Sequence, residues 1–214
     1  MSIAVIDYGM GNLRSVSKAL EHVAPGATVR VTSDPREVAA ADRVVFPGQG
    51  AMPDCMRELD ARGLRPAVLE ATRNKPFLGL CIGLQMLFES SEEGDTPGLA
   101  VLPGKVKRFS PEVMRNAEGG PLKVPHMGWN QVETQGQAQG HPLWAGISAG
   151  SRFYYVHSYY ADVTESRLVA GTTTYGFPFT CAAARDNIFA VQFHPEKSQA
   201  AGLRLLANFV NWKP

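Results

Sequence analysis

A short apolar run that ends at a cysteine is the feature that most constrains the fold of this chain. Residues 77–80 read Phe-Leu-Gly-Leu and contain no polar side chain, which is typical of a buried strand in a parallel sheet. After Cys81, the apolar residues Leu84, Leu87 and Phe88 recur at helical spacing. The sequence therefore predicts a strand that turns into a helix at Cys81.

The glycines on either side of Cys81 indicate a nucleophile elbow. Gly79 and Gly83 give the pattern Gly-x-Cys-x-Gly, in which residues without Cβ let the strand and the helix approach closely. The thiol would stand at the carboxyl end of the strand, where the helix dipole favours a thiolate and the N–H of Ile82 can donate to an oxyanion. Because buried cysteines are often plain core residues, a nearby base is needed to support catalysis.

Size and charge exclude several classes of function. The chain has 214 residues, 44% of them hydrophobic, and no polar linker divides it, so we predict one domain over residues 1–214. A net charge of +1 gives no footprint for nucleic acid or for an anionic membrane. Small molecules or a protein partner are the better candidates.

The start of the chain and its cysteines favour a cytoplasmic location. Residues 1–7 enter an apolar strand without a basic leader, and no apolar run approaches membrane-spanning length. The three cysteines are widely spaced and form no Cys-x-x-Cys pair, so they suggest neither a disulfide framework nor a zinc site. Cys55 and Cys181 are predicted to be inert packing residues.

The two halves of the chain carry different periodicities. In the first half, predicted strands at 3–6, 29–31, 43–46 and 77–80 alternate with helical segments, which calls for a parallel sheet covered on both faces. The second half is richer in glycine and proline and shows short strand-like runs, which indicate either antiparallel strands added to the sheet or a hairpin layer beside it. Those runs are 106–109, 131–133, 152–156, 172–175, 180–184 and 188–193. Leu203, Leu206, Phe209 and Val210 predict a terminal helix that docks on the sheet.

The glycine-rich loop 47–51 (Pro-Gly-Gln-Gly-Ala) follows the predicted strand 43–46. It can be a simple tight turn. If its strand is parallel to and beside the strand before Cys81, however, the loop lies on the same rim of the sheet. An N–H of Gln49 or Gly50 could then supply a second oxyanion donor.

The candidate base is His194. It follows an apolar strand, and Glu196 comes two residues later, so in an extended backbone the carboxylate can reach the imidazole and fix its tautomer. Together with Cys81 these residues predict a Cys-His-Glu triad. For His-Pro-Glu alone, a capped strand end with an incidental carboxylate would be the simpler interpretation.

The other four histidines are weaker candidates. His22 lies at a helix end and His141 precedes a proline in a polar loop, so both are predicted at the surface. The sequence assigns no role to His126 or His157.

Several stretches give the chain a resemblance to a known family, the class I (triad-type) glutamine amidotransferases. Residues 79–85 and 194–196 carry this resemblance, and within the family it is closest to the glutaminase subunits of imidazole glycerol phosphate synthase. One departure is Gln49, where the family usually has a small aliphatic residue. The stretches that carry the closer resemblance are 6–12, 46–51, 124–130, 155–159 and 192–198.

The resemblance implies a fold and a reaction. The fold would be a three-layer, flavodoxin-like α/β architecture with a mostly parallel central sheet and added antiparallel strands in the second half. The reaction would be hydrolysis of L-glutamine to glutamate and ammonia through a Cys81 thioester, with His194 as acid and base, Glu196 holding it, and no cofactor or metal. Ammonia would pass to a cyclase subunit in a heterodimer that serves histidine biosynthesis.

The resemblance also implies which residues bind substrate and partner. Gly50, Gln85, Ser158 and Tyr159 would hold the amino and carboxylate ends of glutamine. Gln85 lies one helical turn after Cys81, which independently allows it to line the pocket, whereas Tyr159 can also be a core residue.

A partner surface is expected near Cys81, because ammonia is best passed directly to a second active site. Met127 and Trp129 suit such an interface, and Lys197 could form an ion pair across it. Packing of Trp129 inside the protein is an equal alternative. Three other functions stay open: a glutaminase subunit of another class I amidotransferase, a cysteine hydrolase or peptidase with the same triad, and a regulatory subunit, which the intact triad residues argue against.

Overall fold

Strands and helices alternate through the first half of the chain, as its sequence predicts. The computed structural model describes residues 1–110, 112, 114–116, 118–134 and 140–214. The first-half elements are β1 (Ser2–Ile6), α1 (Leu13–Val23), β2 (Thr28–Thr32), α2 (Pro35–Ala40), β3 (Arg43–Phe46), α3 (Met52–Ala61), α4 (Arg65–Asn74), β4 (Phe77–Leu80) and α5 (Ile82–Gln85).

Antiparallel strands dominate the second half. Its elements are β5 (Ser90–Ser91), β6 (Thr96–Pro97), β7 (Gly104–Arg108), β8 (His126–Gln131), β9 (Arg152–His157), β10 (Tyr159–Val163), β11 (Val169–Tyr175), β12 (Phe177–Arg185), β13 (Ile188–Val191) and α6 (Gln199–Asn211). Both arrangements allowed by the sequence occur. Strands β7, β10 and β12 extend the main sheet in antiparallel fashion, while β8 and β9 form a separate two-stranded sheet.

The main sheet has the order β2-β1-β3-β4-β13-β12-β10-β7-β5-β6, with β11 paired to β12. The strands from β2 to β13 in this order are parallel to one another. In particular, β4 lies between β3 and β13, so the segments that follow these three strands meet at one rim of the sheet. The predicted site requires this, because its residues follow β3, β4 and β13.

Apolar helix faces cover both sides of the sheet. On one side, Val16 and Leu20 of α1 and Phe209 of α6 are buried in one cluster. On the other, Leu59 of α3 and Val68 of α4 are buried in a second cluster. The result is the predicted three-layer α/β fold. No helix among the described residues is long and apolar enough to cross a membrane.

The helix after Cys81 is shorter than its apolar spacing predicts. It ends at Gln85, although Leu87 and Phe88 are fully buried as expected. The carbonyls of Leu87 and Phe88 accept hydrogen bonds from the N–H groups of residues 100–102 instead of from a further helical turn. Hydrogen bonds to a distant segment therefore end the helix earlier than the apolar spacing of residues 84–88 predicts.

Three strand predictions in the second half are wrong at their ends. The strand expected at 106–109 begins at Gly104 and stops at Arg108. A strand was expected at 131–133, but β8 ends at Gln131, and Glu133 forms only an isolated bridge with Thr172. The strand expected at 188–193 stops at Val191. β10 was not predicted, and the polar turn predicted at 136–140 lies, apart from Gly140, outside the described residues.

The two histidines predicted at the surface differ. His22 is exposed, as expected, but His141 is half-buried. Its ring lies against Phe189 and Trp212, and its Nδ1 accepts a hydrogen bond from the N–H of Leu143. His141 therefore caps the short turn that follows it, and burial lowers its pKa to about 4.

Candidate active site

Cys81 occupies a strained turn between β4 and α5. Its backbone angles are φ 55° and ψ −108°, a combination that residues with a Cβ rarely adopt and that costs roughly 1–3 kcal/mol. A Cβ on Gly83 would lie 1.9 Å from the carbonyl oxygen of Phe46, so only glycine fits there. The predicted elbow is confirmed, and glycine is needed for the close approach of backbone to backbone.

The N–H of Ile82 is free at this elbow. As the first residue of α5, Ile82 has no intrahelical acceptor, and no other backbone carbonyl among the described residues accepts its N–H. The helix behind it has only four residues. The helix dipole therefore contributes less than the sequence suggested, and the individual N–H groups matter more.

His194 and Glu196 are in direct contact. The distance between His194 Nδ1 and Glu196 Oε1 is 3.0 Å, and the two side chains are only 5% and 1% exposed. The segment Pro195–Lys197 is a 3-10 turn, so this turn, and not an extended strand as expected, brings the two side chains to one side. The Oγ of Ser198 donates to the carbonyl of His194 and secures the turn.

Pairing of β4 with β13 places Cys81 beside His194. Leu80 is in register with Val191, and the N–H of Cys81 donates to the carbonyl of Val191 at 2.8 Å. Burial alone would lower the pKa of His194, but the negative charge of a thiolate at Cys81 and that of the Glu196 carboxylate outweigh burial and raise that pKa to about 10. The surroundings of His194 therefore favour an imidazolium next to the sulfur.

The residues predicted to stabilise the oxyanion and to bind substrate line one pocket with Cys81 and His194. Their lining partners are Gln49, Gly50, Ile82, Gln85, Ser158 and Tyr159. Glu93, Pro125, Val156 and His157 complete the walls. The three segments that the sequence placed on one rim, namely loop 47–51, the elbow and the residues after β13, do meet.

The side chain of Gln85 has one free polar atom. Its Nε2 donates to the carbonyl of Tyr159 at 3.2 Å and to Oε1 of Gln192 at 2.9 Å. Its Oε1 is buried and accepts no hydrogen bond from the described residues. Gln85 therefore offers an acceptor, and not a donor, to a ligand in the pocket.

The glycine loop has a defined peptide orientation. The carbonyl of Gln49 accepts a hydrogen bond from the Cys55 thiol at 3.7 Å. Across the planar trans peptide, the N–H of Gly50 points in the opposite direction, and Gly50 has φ +110°. The hydroxyl of Tyr8 donates to the carbonyl of Pro47 at 2.9 Å and supports the loop from below.

Gln192 is the main site residue that the sequence analysis missed. Its Nε2 lies 3.7 Å from the sulfur of Cys81, and its side chain is fully buried. A polar residue inside the apolar run before His194 was the available signal, because a buried amide requires hydrogen-bonding partners. Glu93, which accepts a hydrogen bond from the N–H of Met52, was also missed.

The other two cysteines are buried packing residues, as predicted. Burial raises the pKa of Cys55 and that of Cys181 to about 11. Both thiols therefore stay protonated near neutral pH.

The residues expected at a partner interface share one surface. Met127 is 62% exposed and Trp129 39% exposed. The Trp129 ring meets that of Tyr154 edge to face, and the Lys197 ammonium lies 5.9 Å from the centre of the Tyr154 ring. We call Met127, Trp129, Tyr154 and the adjacent Lys197 the β8–β9 patch. Trp129 was expected either at an interface or packed inside the protein. It shows features of both, since it packs on Tyr154 and still exposes part of its ring.

The arrangement is that of a thiol-dependent hydrolase or transferase: a cysteine on a strained strand-to-helix turn, with a histidine and a carboxylate after the neighbouring parallel strand. Comparison with known proteins narrows the class. The family described as Glutamine amidotransferase class-I matches residues 4–212. This chain belongs to the class I glutamine amidotransferase family.

Similar proteins agree with this membership. An imidazole glycerol phosphate synthase subunit HisH from Dechloromonas aromatica is 67% identical over 213 residues, which cover 100% of this chain and 97% of that protein. The subunit of the same name from Thiobacillus denitrificans is 65% identical, with 100% and 92% covered.

Solved structures share the fold at much lower identity. PurLQS from Thermotoga maritima has a TM-score of 0.69 at 17% identity and covers 98% of this chain and 97% of that one. The glutaminase domain of Trypanosoma brucei CTPS, solved with bound acivicin, has a TM-score of 0.66 at 17% identity, with 100% and 95% covered.

The strain at Cys81 predicts an inverted order of stability for two substitutions. Glycine normally destabilises a structured position by about 0.5–1 kcal/mol relative to alanine. At φ 55° and ψ −108°, alanine carries the backbone strain and glycine does not. We expect Cys81→Gly to be more stable than Cys81→Ala by about 1 kcal/mol, measured by urea unfolding. Equal stabilities, or the usual order, would mean that the elbow is unstrained.

Proposed function

We propose that this chain is the glutaminase subunit of an imidazole glycerol phosphate synthase. It would hydrolyse L-glutamine to L-glutamate and ammonia and pass the ammonia to a cyclase subunit in histidine biosynthesis. The observation that carries the proposal is that Cys81 and His194 line one pocket and that the carboxylate of Glu196 contacts His194. The full-length identity of 67% to a HisH subunit supports the choice of synthase.

The first half of the reaction forms a thioester. The sulfur of Cys81 attacks the side-chain amide carbon of glutamine, and His194 holds the proton taken from the thiol. His194 then gives this proton to the amide nitrogen as the C–N bond breaks, so that ammonia leaves. The Glu196 carboxylate keeps the Nδ1 proton of His194 in place at 3.0 Å, which directs Nε2 towards the reacting atoms.

Two backbone N–H groups stabilise the oxyanion in this proposal. Ile82 supplies one, because its N–H has no acceptor in α5. Of the two residues expected to supply the other, Gly50 is favoured over Gln49, because the carbonyl of Gln49 is held by Cys55 and the N–H of Gly50 points the other way. Each well-placed donor contributes about 3 kcal/mol to transition-state stabilisation.

The ends of glutamine find complementary groups in the pocket. The free Oε1 of Gln85 suits the α-ammonium group, since it is a buried acceptor without a partner among the described residues. Gly50, Ser158 and Tyr159 lie along the same pocket and would hold the α-carboxylate. Glutamine would thus be fixed at both ends, with its amide at the sulfur.

The second half of the reaction releases glutamate. After ammonia has left, the neutral His194 removes a proton from water, and the resulting hydroxide attacks the thioester carbon. The same N–H groups stabilise the second oxyanion, and the C–S bond breaks to regenerate Cys81. Protons and bonds balance without a cofactor.

The β8–β9 patch is the proposed cyclase interface. Exposed Met127 and Trp129 provide an apolar centre, and Lys197 provides a cation that can pair with a carboxylate of the partner. Pro125 and His157, at the start of β8 and the end of β9, line the pocket. A partner bound to the patch would therefore lie next to the point where ammonia is released, as a heterodimer requires.

Domain organisation and location are part of the proposal. Residues 1–214 would form one glutamine amidotransferase domain, because β13 from the second half inserts beside β4 from the first half. A cytoplasmic location agrees with three free thiols, all buried, and with a mechanism that needs Cys81 reduced.

Two alternatives remain for comparison. The first is the glutaminase subunit of a different class I amidotransferase, and the second is a cysteine hydrolase or peptidase that uses the same triad. The full-length similarity to HisH subunits argues against both. A reconstituted complex separates the three functions directly.

The central prediction concerns two sources of nitrogen. With a cyclase subunit and its ribonucleotide substrate present, Cys81→Ala or His194→Ala should reduce glutamine-dependent formation of product by at least about 10³-fold, because the thioester no longer forms. Product formation from added ammonium salt should stay within about twofold of wild type. Glutamate release and cyclase product are measured in the same reaction.

Matched outcomes distinguish the alternatives. If the cyclase never accepts nitrogen from wild-type chain and glutamine, but glutamate is still released, the chain serves another synthase or acts alone. If glutamate is not released at all, the glutaminase assignment fails. Equal loss of both nitrogen sources in Cys81→Ala would mean that the substitution disrupts the complex and not the chemistry.

The interface proposal predicts a selective loss of affinity. Trp129→Ala should weaken binding to the cyclase about tenfold or more, as expected for an exposed aromatic anchor. Val31→Ala is the control, because Val31 has nearly the same exposure, 40% against 39%, but lies on β2, an edge strand of the main sheet, and not on the two-stranded sheet that carries Trp129. Calorimetric titration with the cyclase measures both variants, and equal affinities would remove the patch from the interface.

A further inference from the structure

Two buried histidines connect the two-stranded sheet to the pocket. His126 on β8 and His157 on β9 are direct neighbours in the strand register. His126 Nδ1 lies 2.9 Å from His157 Nε2. Neither residue had a role from the sequence, and only 3% of His126 and 6% of His157 are exposed.

The surrounding partners fix the direction of every hydrogen bond. His157 Nδ1 lies 2.8 Å from the carbonyl oxygen of Tyr159, which can only accept, so Nδ1 carries the proton. In a neutral imidazole, Nε2 of His157 is then an acceptor, and His126 Nδ1 must donate to it. His126 Nε2 in turn accepts from Asn130 Nδ2 at 3.2 Å, while Asn130 Oδ1 accepts from the N–H of Gln131.

Burial keeps both rings neutral. It lowers the pKa of His157 to about 3 and that of His126 to about 4. The rings lie among aromatic side chains: His126 stacks on Tyr155 and Tyr175, and His157 lies near Phe109. Near neutral pH each ring therefore has one donor and one acceptor, as the chain of hydrogen bonds requires.

The same carbonyl of Tyr159 is bonded from the other side by Gln85. Gln85 Nε2 donates to it at 3.2 Å and also to Oε1 of Gln192 at 2.9 Å. Because Oε1 of Gln192 accepts, its Nε2 is the group that faces the sulfur of Cys81 at 3.7 Å. One carbonyl thus joins the histidine pair to the amide of Gln85, which lines the pocket, and through it to the amide of Gln192, which contacts the sulfur of Cys81.

The orientation of these amides has chemical consequences. As observed, Gln85 lines the pocket and keeps its Oε1 without a hydrogen bond from the described residues, and Gln192 turns an N–H to the sulfur. If the Gln85 amide flipped, its NH₂ group would face the glutamine ammonium and its oxygen would face the carbonyl of Tyr159 and Oε1 of Gln192. The contact of the NH₂ group with the ammonium and the contacts of the oxygen with the two other oxygens would all be repulsive.

We propose that His157 is a positioning residue for glutamine hydrolysis, which holds the Tyr159 carbonyl and thereby the orientation of the Gln85 and Gln192 amides. His126 donates to His157 Nε2 and thereby supports the tautomer that the hydrogen bond to the Tyr159 carbonyl requires. Gln192, which contacts the reacting sulfur, supports the thiolate with its N–H. This inference rests on the proposed function, since it assigns these residues to the binding of glutamine and to the state of Cys81.

Two isosteric substitutions separate positioning from packing. In His157→Asn, the Asn Nδ2 can replace the histidine Nδ1 and still donate to the carbonyl of Tyr159. In His157→Gln, the Gln Oε1 can replace Nε2 and still accept from His126, but the donor at the Nδ1 position is lost. Both variants remove the ring, so a purely structural role predicts similar defects.

The test compares glutamine kinetics of the two variants in the reconstituted complex. We expect His157→Gln to raise KM for glutamine about tenfold with a smaller change in kcat, and His157→Asn to stay within about threefold of wild type. The ammonia-dependent activity of the complex and the thermal unfolding midpoint serve as checks on folding and assembly. Calorimetric binding of glutamine to each variant in the Cys81→Ala background gives the affinity without chemistry.

A second pair of variants covers the case in which His157→Gln is poorly folded. His126→Ala removes the donor to His157 Nε2 and should raise KM for glutamine, as His157→Gln does. In His126→Asn the Nδ2 can still donate to His157, so KM should return towards the wild-type value. The inference is overturned if wild type hydrolyses glutamine but KM is the same in both members of each pair. The pairs are His157→Gln with His157→Asn, and His126→Ala with His126→Asn. Failure of wild type to hydrolyse glutamine would instead overturn the proposed function, and this inference with it.

Discussion

The pairing of β4 with β13 is the constraint on which the rest of the site depends. The two strands are far apart in the chain, yet their parallel register sets Leu80 opposite Val191 and ties the N–H of Cys81 to the Val191 carbonyl. Because parallel strands end at the same rim, whatever follows each strand must meet there. A shift of the register by one residue would turn the residues of β13 to the opposite face and separate His194 from the sulfur.

Electrostatics then decide the state of the groups that meet. Cys81, His194 and Glu196 are almost fully buried, and burial alone disfavours every charge among them. The negative charges of a thiolate at Cys81 and of the Glu196 carboxylate reverse this for His194, whose pKa is raised well above its ordinary value. One carboxylate oxygen of Glu196 is buried with no partner among the described residues, so the site retains an electrostatic cost in exchange for a reactive pair.

Local sequence was a good guide where a segment is buried on both faces. The strands at 43–46 and 77–80 were predicted to the residue. The second is an unbroken apolar run that ends at the elbow, and the first is apolar after Arg43 and ends at the glycine loop that begins with Pro47. Local sequence failed where distant parts of the chain decide the outcome. After the helix that follows Cys81, the carbonyls of Leu87 and Phe88 bond to the N–H groups of residues 100–102 and not to a further helical turn. The strand predicted at 131–133 lies instead at His126–Gln131, because its residues include a glycine and polar side chains that pair with β9.

The same division holds for the site. The triad could be predicted, because an elbow pattern and a His-x-Glu spacing are local signals. Gln85 was reached both from its helical spacing and from the family resemblance, while Ser158 and Tyr159 came from the resemblance alone. The hydrogen bonds of His157 and Gln192 depend on cross-strand register, which the sequence does not specify locally.

The protonation state of His194 is the most direct test, because a thiolate at Cys81 and the Glu196 carboxylate must together hold a buried imidazole in its protonated form. Nuclear magnetic resonance of the chain with isotopically labelled histidine, assigned with a His194→Asn variant, gives the protonation state as a function of pH. We expect His194 to remain an imidazolium above pH 7.5 in the wild type and to lose that proton at a clearly lower pH in Cys81→Ala. A neutral His194 at pH 7.5 in the wild type, or a titration that does not change when the thiol is removed, would contradict the account.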